Sequence, residues 1–267
     1  MSTTNCLNCG QPLTTTDRFC SQCGQKGDTH RLKWHDIWHD AVHYFTHADK
    51  GIFHLLRELA IRPGLVAREF MAGRRKTYFK PLNFFLIVAG ILVFISTRFH
   101  RMDDTRADRL EQYALHQVKS PQEKAHYLGM VKRMRQVTRF TTKYANGIQM
   151  LATPLVAFII WLFYSRGKYN YVEHLVANMF FVPFVMLIYS LIVLPLANLF
   201  NDRIPEYTFL YAFFFIEFIY RSFAYYHFIN KKGTWPLIKA FGVILFTVAI
   251  WVYGNVQLIS SYIRTGW

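Results

Sequence analysis

Five long apolar runs dominate the chain after residue 80. Each has about the 17 to 25 residues that a helix needs to cross the hydrocarbon layer of a membrane. Pro154, Pro183 and Pro195 fall in the second and third runs and are expected to bend those helices, since neighbouring helices can satisfy the freed carbonyls. The pattern predicts a mainly α, polytopic helical membrane protein, whose membrane domain (81–267) has spans near 82–99, 148–164, 175–199, 207–228 and 237–259.

A different periodicity precedes the first run. From Trp34 to Leu59 the apolar positions alternate in steps of four and three, which predicts an amphipathic helix, or two helices that break at Gly51. Pro63-Gly64 should end it, because proline removes a donor and glycine frees the turn. Residues 28–80 are therefore expected to form juxtamembrane amphipathic helices. Four histidines form a polar stripe on the opposite side of this helix: His35, His39, His43 and His47. We interpret the stripe as a solvent-exposed face, or one at the level of the lipid head groups, rather than as a metal or haem site.

Composition and charge support the membrane interpretation. The chain is 52% hydrophobic and 18% aromatic, more than soluble domains usually carry. Its formal net charge of +15 suits either nucleic acid or an anionic membrane surface. Because the basic residues flank the apolar runs, a lipid bilayer with anionic head groups is the expected partner, in preference to nucleic acid.

The densest cationic segment lies immediately before the first apolar run, after a short second helix. Arg74, Arg75, Lys76 and Lys80 are expected to contact lipid head groups there, at a cytoplasmic membrane-entry segment. A nucleic-acid patch is the alternative interpretation. Positive charge near the span ends then places the N-terminus in the cytoplasm and, with five spans, the C-terminus outside.

One segment conflicts with that orientation. Residues 98–147 carry eleven Lys and Arg residues, yet the orientation places them outside. Within them, Ser120-Pro121-Gln122-Glu123 has the pattern of a capping box and predicts a helix from Pro121 to about Tyr144. A preceding helix over 104–118 would complete an extramembrane helical hairpin within 103–146.

All four cysteines lie in the first 23 residues, in two CxxC pairs that are each followed by glycine: Cys6, Cys9, Cys20 and Cys23. Doubled pairs can close tetrahedrally on Zn²⁺, and four thiolates leave no open position for catalysis. A structural zinc ribbon over 1–27 is therefore predicted, in preference to disulfides or a redox pair. Thiolate ligands also suit a reducing cytosol.

Several motifs together resemble a known family. They are the ribbon ending 20–25 (CSQCGQ), Arg62-Pro63-Gly64, the segment 73–78 (GRRKTY) before Pro81, and the later segment 171–176 (YVEHLV). The combination is similar to domain-of-unknown-function family 3667. The resemblance implies a bacterial membrane protein with an N-terminal ribbon and no established activity, and hence the bacterial inner membrane as its location.

Polar residues inside the predicted spans are the remaining functional candidates. Glu217 and Arg221 lie one helical turn apart and can pair, either on a transport path or as a neutralised structural pair. Glu173 and His174 open the third span, where the helix dipole favours a carboxylate. These two residues either cap their helix or join the first pair in one intramembrane polar site.

Three classes of function follow. The first is a membrane-anchored scaffold or sensor whose cytosolic ribbon recruits an unknown protein partner, because closed zinc sites commonly serve as rigid docking elements. The second is a small transporter or channel subunit, for which Glu217, Arg221 and Glu173 should converge on a cavity between helices. The third and least favoured is a membrane-embedded enzyme that uses His174 and Glu173 as acid and base, since no catalytic constellation stands out.

Overall fold

The fold comes from a computed structural model, which describes residues 4–14, 16–27, 51–98, 104–200 and 206–266. The predicted amphipathic helix before residue 51 lies outside these ranges. So does its polar stripe of four histidines: His35, His39, His43 and His47.

The N-terminal unit is a small two-stranded ribbon. Strand β1 (Thr4–Asn5) pairs antiparallel with β2 (Pro12–Leu13), and Phe19 bridges to Lys26 in a second antiparallel contact. Its buried apolar cluster consists of Leu13 and the side chains of two cysteines. So small a core cannot stabilise a fold alone, which leaves the cysteines as its main source of stability.

The rest of the described chain is helical. Its α-helices are α1 (Gly51–Ile61), α2 (Pro63–Met71), α3 (Pro81–Arg98), α4 (Asp104–His116), α5 (Pro121–Lys143), α6 (Ala145–Tyr164), α7 (Tyr171–Ile188), α8 (Leu194–Leu199), α9 (Glu206–Ile229) and α10 (Thr234–Thr265). A π-helical turn over Tyr189–Val193 joins α7 to α8.

Helix α1 ends just before Pro63, where proline was expected to end the helix. Gly64 does not have the role that was expected of it. Proline at the first position of α2 needs no amide hydrogen. Gly64 is not a turn residue: it lies inside α2, where an added Cβ would come within 2.5 Å of the Phe228 amide nitrogen. The missing side chain instead lets α2 approach α9 closely.

Helix α5 begins at Pro121, as predicted, and ends at Lys143. The proposed capping box before it is wrong, because the Ser120 side chain makes no capping hydrogen bond. A capping box does form at the start of α7. There Asn170 Oδ1 accepts from the Glu173 amide at 2.8 Å, and Glu173 Oε2 accepts from the Asn170 amide at 2.7 Å.

Helix α7 lies at the centre of the helical bundle. Its side chains are buried on every face from Val172 to Val185 with few exceptions, and it packs against α3, α6, α9 and α2. A helix that buries nearly all of its faces must be covered by neighbouring elements, and here four helices supply that cover. The helix then continues through the π-helical turn, beside Pro195, which cannot donate the hydrogen bond of a regular α-helix.

Two helices are long and apolar enough to cross a membrane: Tyr171–Leu199, with 29 residues, and Thr234–Thr265, with 32. Shorter apolar helical stretches cover Pro81–Ile95 and Leu151–Tyr164. Length and composition of the described helices thus support two of the five predicted spans and associate the chain only weakly with a membrane. The fourth predicted span corresponds to α9, which carries the charged pair Glu217 and Arg221.

Helices α4 and α5 form an antiparallel hairpin. Arg135 joins them through Asp108 at 2.8 Å and Glu111 at 2.6 Å. Arg133 donates from Nε to the Ile263 carbonyl at 2.8 Å and thereby caps the C-terminal end of α10. Two basic side chains of this hairpin are therefore bound within the molecule.

Candidate functional site

The two cysteine pairs come together in space. All four Sγ atoms lie within 4.8 Å of one another, with Cys6 to Cys23 at 3.7 Å and Cys9 to Cys20 at 3.6 Å. Tetrahedral zinc with Zn–S bonds of about 2.3 Å separates its sulfurs by about 3.8 Å. The cluster therefore has the dimensions of a four-thiolate metal site, and its four ligands would fill the coordination sphere.

Two equivalent knuckles position these sulfurs. In the first, the Cys6 amide donates to the Gln11 carbonyl and the Gly10 amide to the Cys6 carbonyl, at 2.8 and 2.9 Å. The second repeats this geometry between residues 20 and 25, at 2.7 and 2.8 Å. Each turn ends on a glycine of positive φ, 81° at Gly10 and 70° at Gly24, a conformation that other residues adopt at a cost.

Backbone amides lower the pKa values of Cys6 and Cys9, whereas burial raises them, as do the neighbouring thiols at Cys9. The amide of Cys9 lowers the pKa of Cys6 to about 7, because it points at the sulfur and favours the thiolate. The Gln11 amide also lowers the pKa of Cys9, but desolvation and the other three thiols outweigh it and raise that pKa to about 12. Four adjacent thiolates therefore require a cation among them, which a bound metal ion would supply as a structural cross-link.

The ribbon docks on the cationic segment that precedes α3, which we call the basic segment (73–80). The Gln25 side chain, 5% exposed, donates from Nε2 to the Gly73 carbonyl at 2.8 Å. Its Oε1 accepts from the Arg75 and Lys76 amides at 3.2 and 3.3 Å. One side chain therefore binds three backbone groups of the basic segment.

The first knuckle makes the matching contact. Asn8 Oδ1 accepts from the Thr77 amide at 3.1 Å and from the Thr77 hydroxyl at 2.5 Å. Asn8 lies between Cys6 and Cys9, and Gln25 directly follows Gly24 of the second knuckle. Both knuckles thus bind the same stretch of backbone, so the fold of the four-cysteine unit positions the basic segment.

The four cations expected to contact lipid differ in their surroundings. Arg74 and Lys76 are exposed, and Arg74 pairs with Glu69 at 2.8 Å. Arg75 and Lys80 are half-buried. The buried Tyr78 hydroxyl also donates to Glu69, at 2.7 Å, and burial raises the pKa of Tyr78.

A second cluster of polar groups lies inside the helical bundle. Arg221 donates to Glu217 at 2.7 Å, the pair that their spacing predicts, and to Asn178 Oδ1 at 3.3 Å. The Asn178 amide group donates in turn to the Tyr225 hydroxyl and to the His174 carbonyl. Sequence reasoning missed Asn178, although an amide inside an apolar run was the signal that could have identified it.

The Glu217–Arg221 pair lines a cavity of about 170 Å³ between α6, α7, α9 and α10. Thr153 and Thr247 add hydroxyls, and the remaining wall is apolar. The complete lining is Ala152, Thr153, Val156, Val182, Met186, Phe213, Phe214, Glu217, Arg221, Thr247, Val248 and Trp251.

Glu173 and His174 do not line this cavity. The Glu173 carboxylate caps α7, as a helix N-terminus favours. The fully buried His174 ring stacks between Tyr164 and Tyr225, with ring centroids 6.0 Å away on each side. No described residue hydrogen-bonds to either ring nitrogen. The structure thus joins His174 to the polar cluster through its backbone carbonyl.

These features define a helical protein with membrane-capable helices and a four-cysteine cluster that can bind a metal ion. Residues 49–93 match the family model of DUF3667, described as a protein of unknown function, which confirms the resemblance over that stretch. The matched region includes α1, α2 and the basic segment, but not the ribbon. No curated protein and no solved structure matches the chain.

Proposed function

We propose that this protein is a polytopic membrane protein that binds a small polar solute inside its helical bundle, as a small transporter or a ligand sensor. The observation that carries the proposal is the Glu217–Arg221 pair on the wall of a 170 Å³ cavity between four helices. Ionisable residues at membrane depth are costly and mark solute pathways, and they gain this role when they line a cavity.

The outer surface of the bundle supports five spans rather than two. Large apolar side chains are exposed along α3, α6, α9 and α10, where water would penalise them and lipid would not. They include Phe94, Leu151, Leu155, Tyr211, Phe215, Leu245, Ile250 and Leu258. With the central α7, these helices make a bundle of five crossings.

Contacts at the helix ends support alternate crossing directions. The Arg133 contact brings the α4–α5 hairpin to the C-terminal end of α10. At the opposite end of α10, Lys239 donates to the Phe163 carbonyl at 2.8 Å, close to the loop that follows α6. In our proposal the ribbon and the 165–170 loop face the cytoplasm of a bacterial inner membrane, and the hairpin lies outside.

The ribbon has two roles in this proposal. It holds structural Zn²⁺ through Cys6, Cys9, Cys20 and Cys23, and it positions the basic segment against anionic head groups, which Arg74, Arg75, Lys76 and Lys80 contact. Electrostatic attraction to such head groups is worth about 1 kcal/mol per basic residue near the surface.

Recruitment of a protein partner by the ribbon is the second candidate function. Leu7 and Phe19 are 52% and 63% exposed, although both are large apolar side chains. These exposed apolar side chains on so small a unit are available to contact a protein partner. A membrane-embedded enzyme ranks below both candidates, because the Glu173 carboxylate that was its candidate acid or base caps α7.

Filling the cavity tests the proposed function. Ala152 lines the cavity and is 4% exposed, whereas the adjacent Leu151 is 75% exposed on the outer surface. We expect solutes that raise the melting temperature of the detergent-solubilised protein to lose their effect on Ala152→Trp and to keep it on the matched control Leu151→Trp. A solute present at 100 times its Kd stabilises by about 2.7 kcal/mol, enough to measure.

Equal responses of the wild type and Ala152→Trp to every solute would refute a ligand site in this cavity. Complementation of cells that lack the protein separates the two candidate functions. Recruitment is the better account if Ala152→Trp restores the wild-type phenotype, but a ribbon deletion or the double substitution Leu7→Ser/Phe19→Ser does not.

A further inference from the structure

We infer that the cavity takes a small zwitterion, a ligand that carries an ammonium group and an anionic oxygen group. This inference rests on the proposed function and names its ligand class. It follows from three properties of the cavity: the balance of charge on its wall, the hydrogen-bonding capacity left in its ion pair, and its size.

The charge balance on the cavity wall disfavours ligands that carry a single charge. Glu217 and Arg221 are the only ionisable groups among the described residues that line the cavity, and their charges cancel. A lone cation or anion would add an uncompensated charge to a site of low dielectric constant, at a large cost in desolvation. A zwitterion adds none, and its two charges can lie antiparallel to the protein pair.

The ion pair also keeps unused donor and acceptor capacity on neighbouring atoms. Arg221 uses Nη1 for Glu217 and Nη2 for Asn178, which occupies two of its five donor hydrogens, and its Nε has no partner. Glu217 accepts through Oε1, whereas no described residue hydrogen-bonds to Oε2. An ammonium group can donate to this oxygen, and an anionic oxygen can accept from the guanidinium.

The dimensions and the apolar wall limit the ligand further. A cavity of about 150 Å³ holds benzene, so 170 Å³ accommodates roughly five to eight non-hydrogen atoms. Phe213, Phe214 and Trp251 line the same space, and aromatic rings attract an ammonium group. Two sources have this chemistry: a free amino-acid-like solute and the ethanolamine head group of a phospholipid that enters between helices.

Titration of the zinc-loaded full-length protein in detergent tests the charge rule directly. The probes are β-alanine and its two single-charge analogues, propionate and propylammonium, with calorimetry as the readout. We expect β-alanine to bind at least tenfold more tightly than either analogue. The lipid source is tested in nanodiscs, where native mass spectrometry should show phosphatidylethanolamine retained in preference to phosphatidylglycerol.

The outcomes separate the two levels of the proposal. Preference for β-alanine supports a free solute, and selective retention of phosphatidylethanolamine supports a head group. If a single-charge analogue binds as well as β-alanine, binding is lost in Ala152→Trp, and phosphatidylethanolamine is not preferred, the zwitterion inference is wrong and the cavity site stands. If no probe and no lipid distinguishes the wild type from Ala152→Trp, both are wrong.

A neutral double variant gives a second test that does not leave a lone buried charge. Glu217→Gln/Arg221→Gln removes both charges together, which buried pairs tolerate better than loss of one partner. We expect this variant to bind β-alanine at least tenfold more weakly than the wild type. Unchanged affinity for β-alanine would overturn the inference, because the recognition would then not depend on the ion pair.

Discussion

The ribbon and the helical bundle differ in how far apart along the chain their hydrogen-bond partners lie. In the ribbon, each knuckle closes through hydrogen bonds between residues four or five positions apart. In the bundle, Arg221 reaches Asn178, 43 positions away, and the Tyr220 hydroxyl donates to the Leu59 carbonyl, 161 positions away. Local spacing therefore specifies the four-cysteine cluster, whereas packing of distant helices creates the polar cavity.

The two regions meet at the basic segment, which belongs to both. Its backbone is held by Asn8 and Gln25 of the ribbon, and the buried side chains of Tyr78 and Phe79 belong to the apolar core of the bundle. The four-cysteine unit and the helical bundle are thus coupled through one short stretch.

Loss of two metal ligands should have the largest effect, and it should be confined to the ribbon. In Cys9→Ser/Cys20→Ser we expect loss of bound metal and fast amide exchange over residues 4–27, because zinc binding in small ribbons supplies about 10–16 kcal/mol. Metal analysis and hydrogen exchange measure both effects, with Ser21→Ala as the control in the second knuckle. Full retention of metal would contradict the four-thiolate site, and cooperative melting of the whole bundle would contradict the separation of the two units.

Removal of the buried cation should destabilise the bundle next most strongly. Arg221→Met leaves the Glu217 carboxylate without its partner, at an expected cost of about 3–5 kcal/mol in the free energy of unfolding. Thermal denaturation in detergent measures this cost. The double variant Glu217→Gln/Arg221→Met should recover most of the loss, and equal stability of the single variant and the wild type would show that the pair is not buried as described.

Addition of one methyl group should affect stability differently at two glycines that both lie inside helices. Gly64→Ala places Cβ against the backbone of α9, so we expect a cost of about 1–3 kcal/mol. At Gly90, inside α3, nothing lies within 4 Å of the added atom, and Gly90→Ala should leave stability unchanged or raise it by about 0.5–1 kcal/mol. Comparison of their melting temperatures is the test, and equal effects would remove the close approach of α2 and α9.

The smallest expected effect concerns the junction between the two units. Gln25→Ala removes the acceptor of the Arg75 and Lys76 amides, and a hydrogen bond contributes about 0.5–1.5 kcal/mol net. We expect these two amides to exchange several-fold to about tenfold faster, with metal content unchanged. The exposed Gln22 of the same knuckle provides the control Gln22→Ala. If exchange does not change, the ribbon does not hold the basic segment.

Features that depend on near neighbours along the chain could be read from the sequence. The doubled CxxC spacing identified the four-cysteine cluster, Pro63 identified the break between α1 and α2, Pro121 identified the start of α5, and the spacing of Glu217 and Arg221 predicted their pair. A local pattern was also misleading once: Ser120 has the right spacing for a capping box, but its side chain does not cap. Whether a cap forms depends on the side-chain rotamer, which sequence spacing leaves open.

Only the tertiary structure decided which distant groups meet. Nothing local indicates that Asn178 joins Arg221 to Tyr225 or that Gln25 binds the basic segment 48 residues away. The physical reason is the range of the interactions. Thiol spacing and helix periodicity are properties of a few adjacent peptide units, whereas a cavity and its lining exist only after several helices have packed together.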